Sequence, residues 1–332
     1  MCLPTMQAMT STTLARNAAA PAMPALIVAC LAATWLIWGS TYLAIKWALV
    51  SFPPFFQMGT RFVAAGLLLG LFAAWRGARW PTRDEWLSAA ILGALMLGGG
   101  YGATAMAEVS IGSGLVVAFI AVVPAIVALA EWPYGVRPSR AQLAGITLGL
   151  VGVLMLARGQ GFSASLSGLA AMALACTTWS VGSVWARHGL PGGRQLTLAP
   201  GAAGYASQML AGGLLLLALS AVLGEQPAAQ PEARAWASWI YLVLAGSIVG
   251  FSAYMVLLQR TSAALASSYT FVNPIIGLAL GVLIGGEAVS GFEWAAAGVI
   301  CAGVVLLLIG TRGARGTLGT LGTRSTLGTR QT

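Results

Sequence analysis

Arg61 is the residue of this sequence whose position most demands a chemical reason. It stands about six residues inside an apolar run from Phe55 to Trp75, roughly 9 Å along a helix rising 1.5 Å per residue. A guanidinium at that depth is costly unless it faces protein or water. Three readings fit: an ion pair with Glu108 that locks two helices, a contact for an anion or carboxylate in an outward vestibule, or a stem that snorkels its charge to the surface. Lys46 and Glu108 lie toward the same side and would supply the charge of that vestibule.

Other polar and aromatic residues could continue a path. Trp35, Trp38, Tyr42 and Lys46 fall at helical spacing on one stripe of the first apolar run, a row of rings leading to a cation. Gln208 takes the place of Arg61 at an offset of 147 and would offer a neutral amide. Asn273 precedes Pro274 near the middle of its run, where the proline frees a carbonyl one turn earlier, and Pro124 does the equivalent in the fourth run. Either proline also suits a plain packing kink. Nine of the twelve tryptophans fall near run ends, as an interfacial belt requires, so only Trp35, Trp38 and Trp179 need another account. Tyr101, Tyr254 and Tyr269 are weaker candidates for bonding a solute. Gly98, Gly99 and Gly100, with Gly145, Gly149 and Gly152, read as sites of close helix approach.

The elements that must position these residues are membrane helices. The chain of 332 residues is 58% hydrophobic and 8% charged, far from the roughly 25% charged content of soluble domains. Ten apolar runs, from Ala25–Ile45 to Trp294–Ile309, approach the roughly 20 residues that span a hydrocarbon core. Placing the first 24 residues inside puts thirteen of the seventeen arginines and lysines on the inner side. The positive-inside rule therefore predicts both termini in the cytoplasm. The net charge of +9 follows from that distribution and gives no nucleic-acid face.

The two halves repeat each other. Ala64, Gly66 and Leu67–Leu69 align with Ala211, Gly213 and Leu214–Leu216, and Pro124 with Pro274 at an offset of 150. Five crossings is an odd number, so the second unit must enter the membrane upside down. The expected fold is an all-α integral membrane protein of ten transmembrane helices in two inverted five-helix repeats. The expected segments are a cytoplasmic stretch 1–24, repeats at 25–157 and 166–310, and a disordered basic tail at 311–332.

Several chemistries lack their residues. The single histidine, His188, lies at the edge of the sixth run, and no HExxH or paired-acid motif occurs, which argues against an intramembrane enzyme. Cys2, Cys30, Cys176 and Cys301 have no metal or redox spacing, so neither a metal nor a cofactor is expected. No Asp or Glu lies deep within a run, so proton coupling would have to use an acid near a run end.

Trp38-Gly39-Ser40-Thr41-Tyr42, Pro53-Pro54, Arg61-Phe62, Tyr269, Val272-Asn273-Pro274 and Gly286-Glu287 together resemble the EamA family of the drug/metabolite transporter superfamily, in particular its inner-membrane exporters. The resemblance spans about Ala25 to Ile309. It implies ten helices and export of small metabolites or drugs by alternating access. One departure is visible: the family's Gly-Glu ending of the fourth helix is missing, with Glu131 only seven residues after Pro124. The expected path runs past Trp38, Tyr42, Arg61, Gln208, Asn273, Tyr269 and Trp179, with a small-molecule substrate and lipid as partners. Amino acids, aromatic metabolites and drugs all suit that lining. A non-transporting scaffold or receptor is the rival reading.

Overall fold

A computed structural model describes residues 24–158, 165–261, 263–284, 290–303, 305, 306 and 309. Among them the regular structure is helical, with no strand. In chain order the helices are α1 (Ala25–Leu49), α2 (Pro54–Trp75), α3 (Arg83–Glu108), α4 (Ser113–Ile120), α5 (Val123–Ala130) and α6 (Arg140–Arg158). There follow α7 (Leu166–His188), α8 (Ala202–Val222), α9 (Ala233–Arg260), α10 (Ala263–Ala266), α11 (Tyr269–Leu283) and α12 (Gly291–Gly303). Six of them (α1, α2, α3, α7, α8 and α9) are long and apolar enough to cross a membrane.

Burial is turned inside out relative to a soluble protein. Arg61, Gln57, Gln208, Asn273, Ser247 and Thr270 are fully buried, whereas Leu67, Leu71, Leu154, Leu214 and Val249 are exposed. In water that arrangement would forfeit the hydrophobic driving force. In lipid it is the favourable one, because the surroundings are as apolar as leucine and polar groups must be satisfied internally. Trp75, Trp80, Trp132 and Trp236, all near helix ends, are exposed as interfacial rings would be. Cys30 and Cys176 are buried free thiols. Cys2, Gly286-Glu287 and the segments 1–23 and 310–332 lie outside the described residues.

The fourth and ninth runs are each broken rather than merely kinked. α4 and α5 are separated at Ala121-Val122, two residues before Pro124, which has no amide to donate and takes its place in the first turn of α5. The matching break, at Ser267-Ser268, comes six residues before Pro274, and α11 is continuous through Pro274. The two prolines therefore do different things, although the sequence aligns them.

A second recurrence was invisible in the pattern of apolar residues. α3 and α9 each carry a ten-residue π-helical section, Gly93–Gly102 and Leu242–Phe251. Such widened turns are rare and are found mostly at functional sites. Glycine supports both, and an added Cβ at Gly99 would fall 2.5 Å from the Thr178 hydroxyl.

α2 against α8 is the most extensive helix pairing in the fold. The residues that align the two halves form its seam: a Cβ at Gly213 would lie 2.8 Å from the Val63 amide, and one at Gly66 2.8 Å from the Leu210 side chain. Glu225, from the turn after α8, accepts the otherwise unpartnered amides of Phe55 and Phe56 at 3.2 and 2.7 Å, tying the start of α2 to the same pair. α6 and α12 meet in the same way, with a Cβ at Gly303 placed 2.6 Å from the Gly149 amide. Gly213→Leu should therefore destabilise the detergent-solubilised protein by about 1–3 kcal/mol, seen as a lower thermal unfolding midpoint. Leu214→Ala, on the exposed outer face, should leave that midpoint nearly unchanged.

Candidate substrate chamber

The aromatic residues of the two halves converge in the middle of the bundle. Trp38 of α1 stands with its ring centroid 5.6 Å from Trp179 of α7, 5.3 Å from Tyr254 of α9, 4.7 Å from Tyr269 of α11 and 6.4 Å from Tyr101 of α3. Trp179 closes the group at 5.5 Å from Tyr101 and 5.0 Å from Tyr254. Most of these pairs meet edge to face, the arrangement that ring quadrupoles favour.

Backbone without side chains makes this convergence possible. The Trp38 indole donates to the Gly246 carbonyl at 3.1 Å and packs against Gly250, where any Cβ would collide with the indole nitrogen. Trp179 lies against Gly100 in the other half, 3.1 Å from where a Cβ would stand. Each tryptophan thus packs on the π-helical section of the opposite half. Ser183 and the Tyr254 hydroxyl, 2.8 Å apart, fix the tyrosine.

Beside this cluster is a chamber of about 40 Å³, room for a few water molecules. Trp38, Tyr42, Tyr101, Thr104, Trp179 and Tyr269 are among its walls. Its lining residues are buried or half-buried.

Arg61 stands directly behind the Tyr101 wall. Its Nε donates to Ser247 Oγ at 2.7 Å, one terminal nitrogen reaches Met58 Sδ at 3.5 Å, and its carbon lies 5.0 Å from the Phe62 ring and 5.1 Å from the Tyr101 ring. The other terminal nitrogen has no hydrogen-bond partner among the described residues. The ion pair with Glu108 considered from sequence is not formed, and the guanidinium does not snorkel, since the residue is fully buried. The rings and a serine do what a carboxylate was expected to do, offering π faces and one acceptor to a cation already desolvated.

The remaining candidates are divided. Glu108 does not face an open vestibule: it is buried at the end of α3, one turn beyond Thr104. Lys46 is exposed on α1, one turn beyond Tyr42. Asn273 is fully buried one turn along α11 from Tyr269, and neither atom of its amide is hydrogen-bonded among the described residues. Gln208 is drawn away from the chamber, its Nε2 donating to Met96 Sδ at 3.5 Å. Trp35 donates to Ser268 Oγ at 3.0 Å, at the break before α11. Pro124 follows Val123, a chamber wall, while His188 pairs at 3.2 Å with Glu131 well away from it.

Sequence reasoning undervalued Tyr101 and Tyr254 and missed Ser247, Gly246 and Gly250. The Gly-Ser pair, three residues before a glycine in a strongly apolar run, was the available signal. Gly250→Ala should displace the Trp38 indole from Gly246 and cost about 1–3 kcal/mol. Gly298→Ala, at a helical position where an added Cβ meets nothing within 4 Å, should be neutral in the same thermal unfolding measurement.

The EamA-like transporter family matches residues 23–158 and again 166–309. The chain is 37% identical over 279 residues to the uncharacterized inner membrane transporter YedA of Escherichia coli strain K12, covering 84% of this chain and 89% of that one. It is 24% identical over 289 residues to a probable amino-acid metabolite efflux pump of Salmonella typhimurium, covering 83% and 93%. A solved crystal structure with 22% identity superposes at a TM-score of 0.66 over 86% of this chain and 96% of its own, which speaks to the fold alone. With its two matched repeats and its lipid-facing apolar surface, the chain is a multi-pass membrane protein that belongs to the EamA-like transporter family.

Proposed function

We propose that the protein exports small, partly apolar metabolites, amino acids and related compounds or drugs, across the inner membrane by alternating access. The observation that carries this reading is the chamber where the halves meet, with Trp38, Tyr42 and Tyr101 from one and Trp179 and Tyr269 from the other. A chamber walled by both halves changes its access when one half rocks against the other. The recurrence of a π-helical section and of a broken helix in each half supports two like units. We read them as inverted five-helix repeats with ten crossings and both termini in the cytoplasm.

Ring faces would hold an apolar or aromatic body, while the unpartnered nitrogen of Arg61 and the Asn273 amide would take its polar groups. Arg61, Trp38, Tyr42, Trp179, Tyr269 and Asn273 are the residues assigned to the path. Gln208 is left to the contact between α3 and α8. The relative named as a probable amino-acid metabolite efflux pump fits the same direction and substrate class, and the one named as an inner membrane transporter fits the membrane.

Purified protein in liposomes loaded with a panel of radiolabelled amino acids and aromatic metabolites should release at least one of them down its gradient. Arg61→Ala should reach the membrane in normal amount and slow that release about tenfold or more, the effect of losing a charged hydrogen bond worth about 1.5–3 kcal/mol. Arg61→Lys should retain an intermediate rate. No release across the whole panel would count against transport. Thiol labelling that finds the two chain ends on opposite membrane faces would remove the inverted arrangement.

A further inference from the structure

Glu108 is the buried group that the transport path leaves unused. It is the last residue of α3 and is 8% exposed, and among the described residues neither carboxylate oxygen has a hydrogen-bond partner. A buried carboxylate without donors is costly as an anion. Four helices pack against this end of α3. From α1, Lys46 and Tyr42 act on the carboxyl electrostatically, and from α2, Arg61 does. α4 carries no titratable residue, and α7 brings Cys176 to the chamber wall. Neither cation donates to it, since both carboxylate oxygens are without a hydrogen-bond partner.

A metal cation does not suit the place. It would want several oxygen ligands, and no cluster of three His, Cys, Asp or Glu occurs among the described residues. Two neighbouring positive charges would also repel it. A proton needs one oxygen and removes the buried charge altogether. Glu108 is also in line with the chamber, because Tyr101, Thr104 and Glu108 follow one another up the same face of α3, and the first two are chamber walls.

We propose that Glu108 is a proton-binding site coupled to opening of the chamber. Its carboxyl holds the proton in the closed conformation. When the end beside Thr104 opens and water reaches the group, the O–H bond breaks, the proton passes to water as hydronium, and the solvated carboxylate remains. The closed form then binds one more proton than the open form, so raising the pH favours opening. The proposal rests on the chamber being a path, but its test needs no substrate.

The full-length protein in lipid nanodiscs offers a native reporter, because Cys176 lines the chamber. Its reaction with a water-soluble maleimide, read by mass spectrometry of the peptide that carries it, is followed from about pH 6 to about pH 9. The same series with Glu108→Gln removes the part that belongs to the thiol itself. The ratio of wild-type to E108Q rates should rise at least about threefold across that range, with the variant held closed. A flat ratio overturns the proposal. Leu257 fills the corresponding place in α9, 149 residues on, and is fully buried. Glu108→Leu is therefore a second non-titrating variant, and it decides the matter by the same ratio if E108Q does not fold. Absence of solute release alongside a rising ratio would sink the transport reading alone, whereas release with a flat ratio would sink only the proton site.

Discussion

Hydrocarbon offers no hydrogen bonds, and every internal feature of this protein answers to that fact. A polar side chain in the bundle is either satisfied by another part of the chain or left bare at a cost of several kcal/mol. Most are satisfied close to home: Thr34, Thr41, Ser180, Ser183 and Thr270 all donate to a carbonyl three or four residues back in their own helices. Against that background the bare atoms of Arg61, Glu108 and Asn273 stand out, because each belongs to a charged or amide side chain within one helical turn of, or in ring contact with, a chamber wall.

The chamber itself is a product of omission. Bringing two indoles and three phenol rings together at the centre of a helical bundle requires backbones to withdraw, and the glycines at 100, 246 and 250 withdraw them. Widening the helix at the same level into π turns moves the flanking side chains off the usual stripes. Arg61 benefits twice, since the bare backbone of Gly246 lets its terminal nitrogen lie where a Cβ would be only 2.8 Å away, and the Tyr101 ring covers its other side. A fully buried cation is thus tolerated without a formal counter-ion in contact.

Much of this could be read from residue types because lipid imposes a strong pattern. Apolar length located the long helices to within a few residues at each end, and Gly145 and Gly149, read as sites of close approach, do meet Gly303 of α12. Trp38, Tyr42, Trp179 and Tyr269 stood out because rings far from the interface need a reason, and all four line the chamber. The misreadings have physical causes too. Charge sign alone joined Arg61 to Glu108, when the rings and Ser247 compete for the same guanidinium. Alignment placed Pro274 at a break that Ser267 and Ser268 make instead. The π sections left no trace because a 3.6-residue period and a wider one are indistinguishable in a stretch that is apolar all round.

The α2–α8 seam has a mechanical consequence. Main chain of α8 comes almost against main chain of α2 at Gly213, and the side chains of Leu217 and Leu210 seat in the notches left by Gly59 and Gly66. Displacement along that line would drive Gly213 into the α2 main chain and unseat both leucines from their notches. The seam therefore acts as a lock against sliding of one helix along the other.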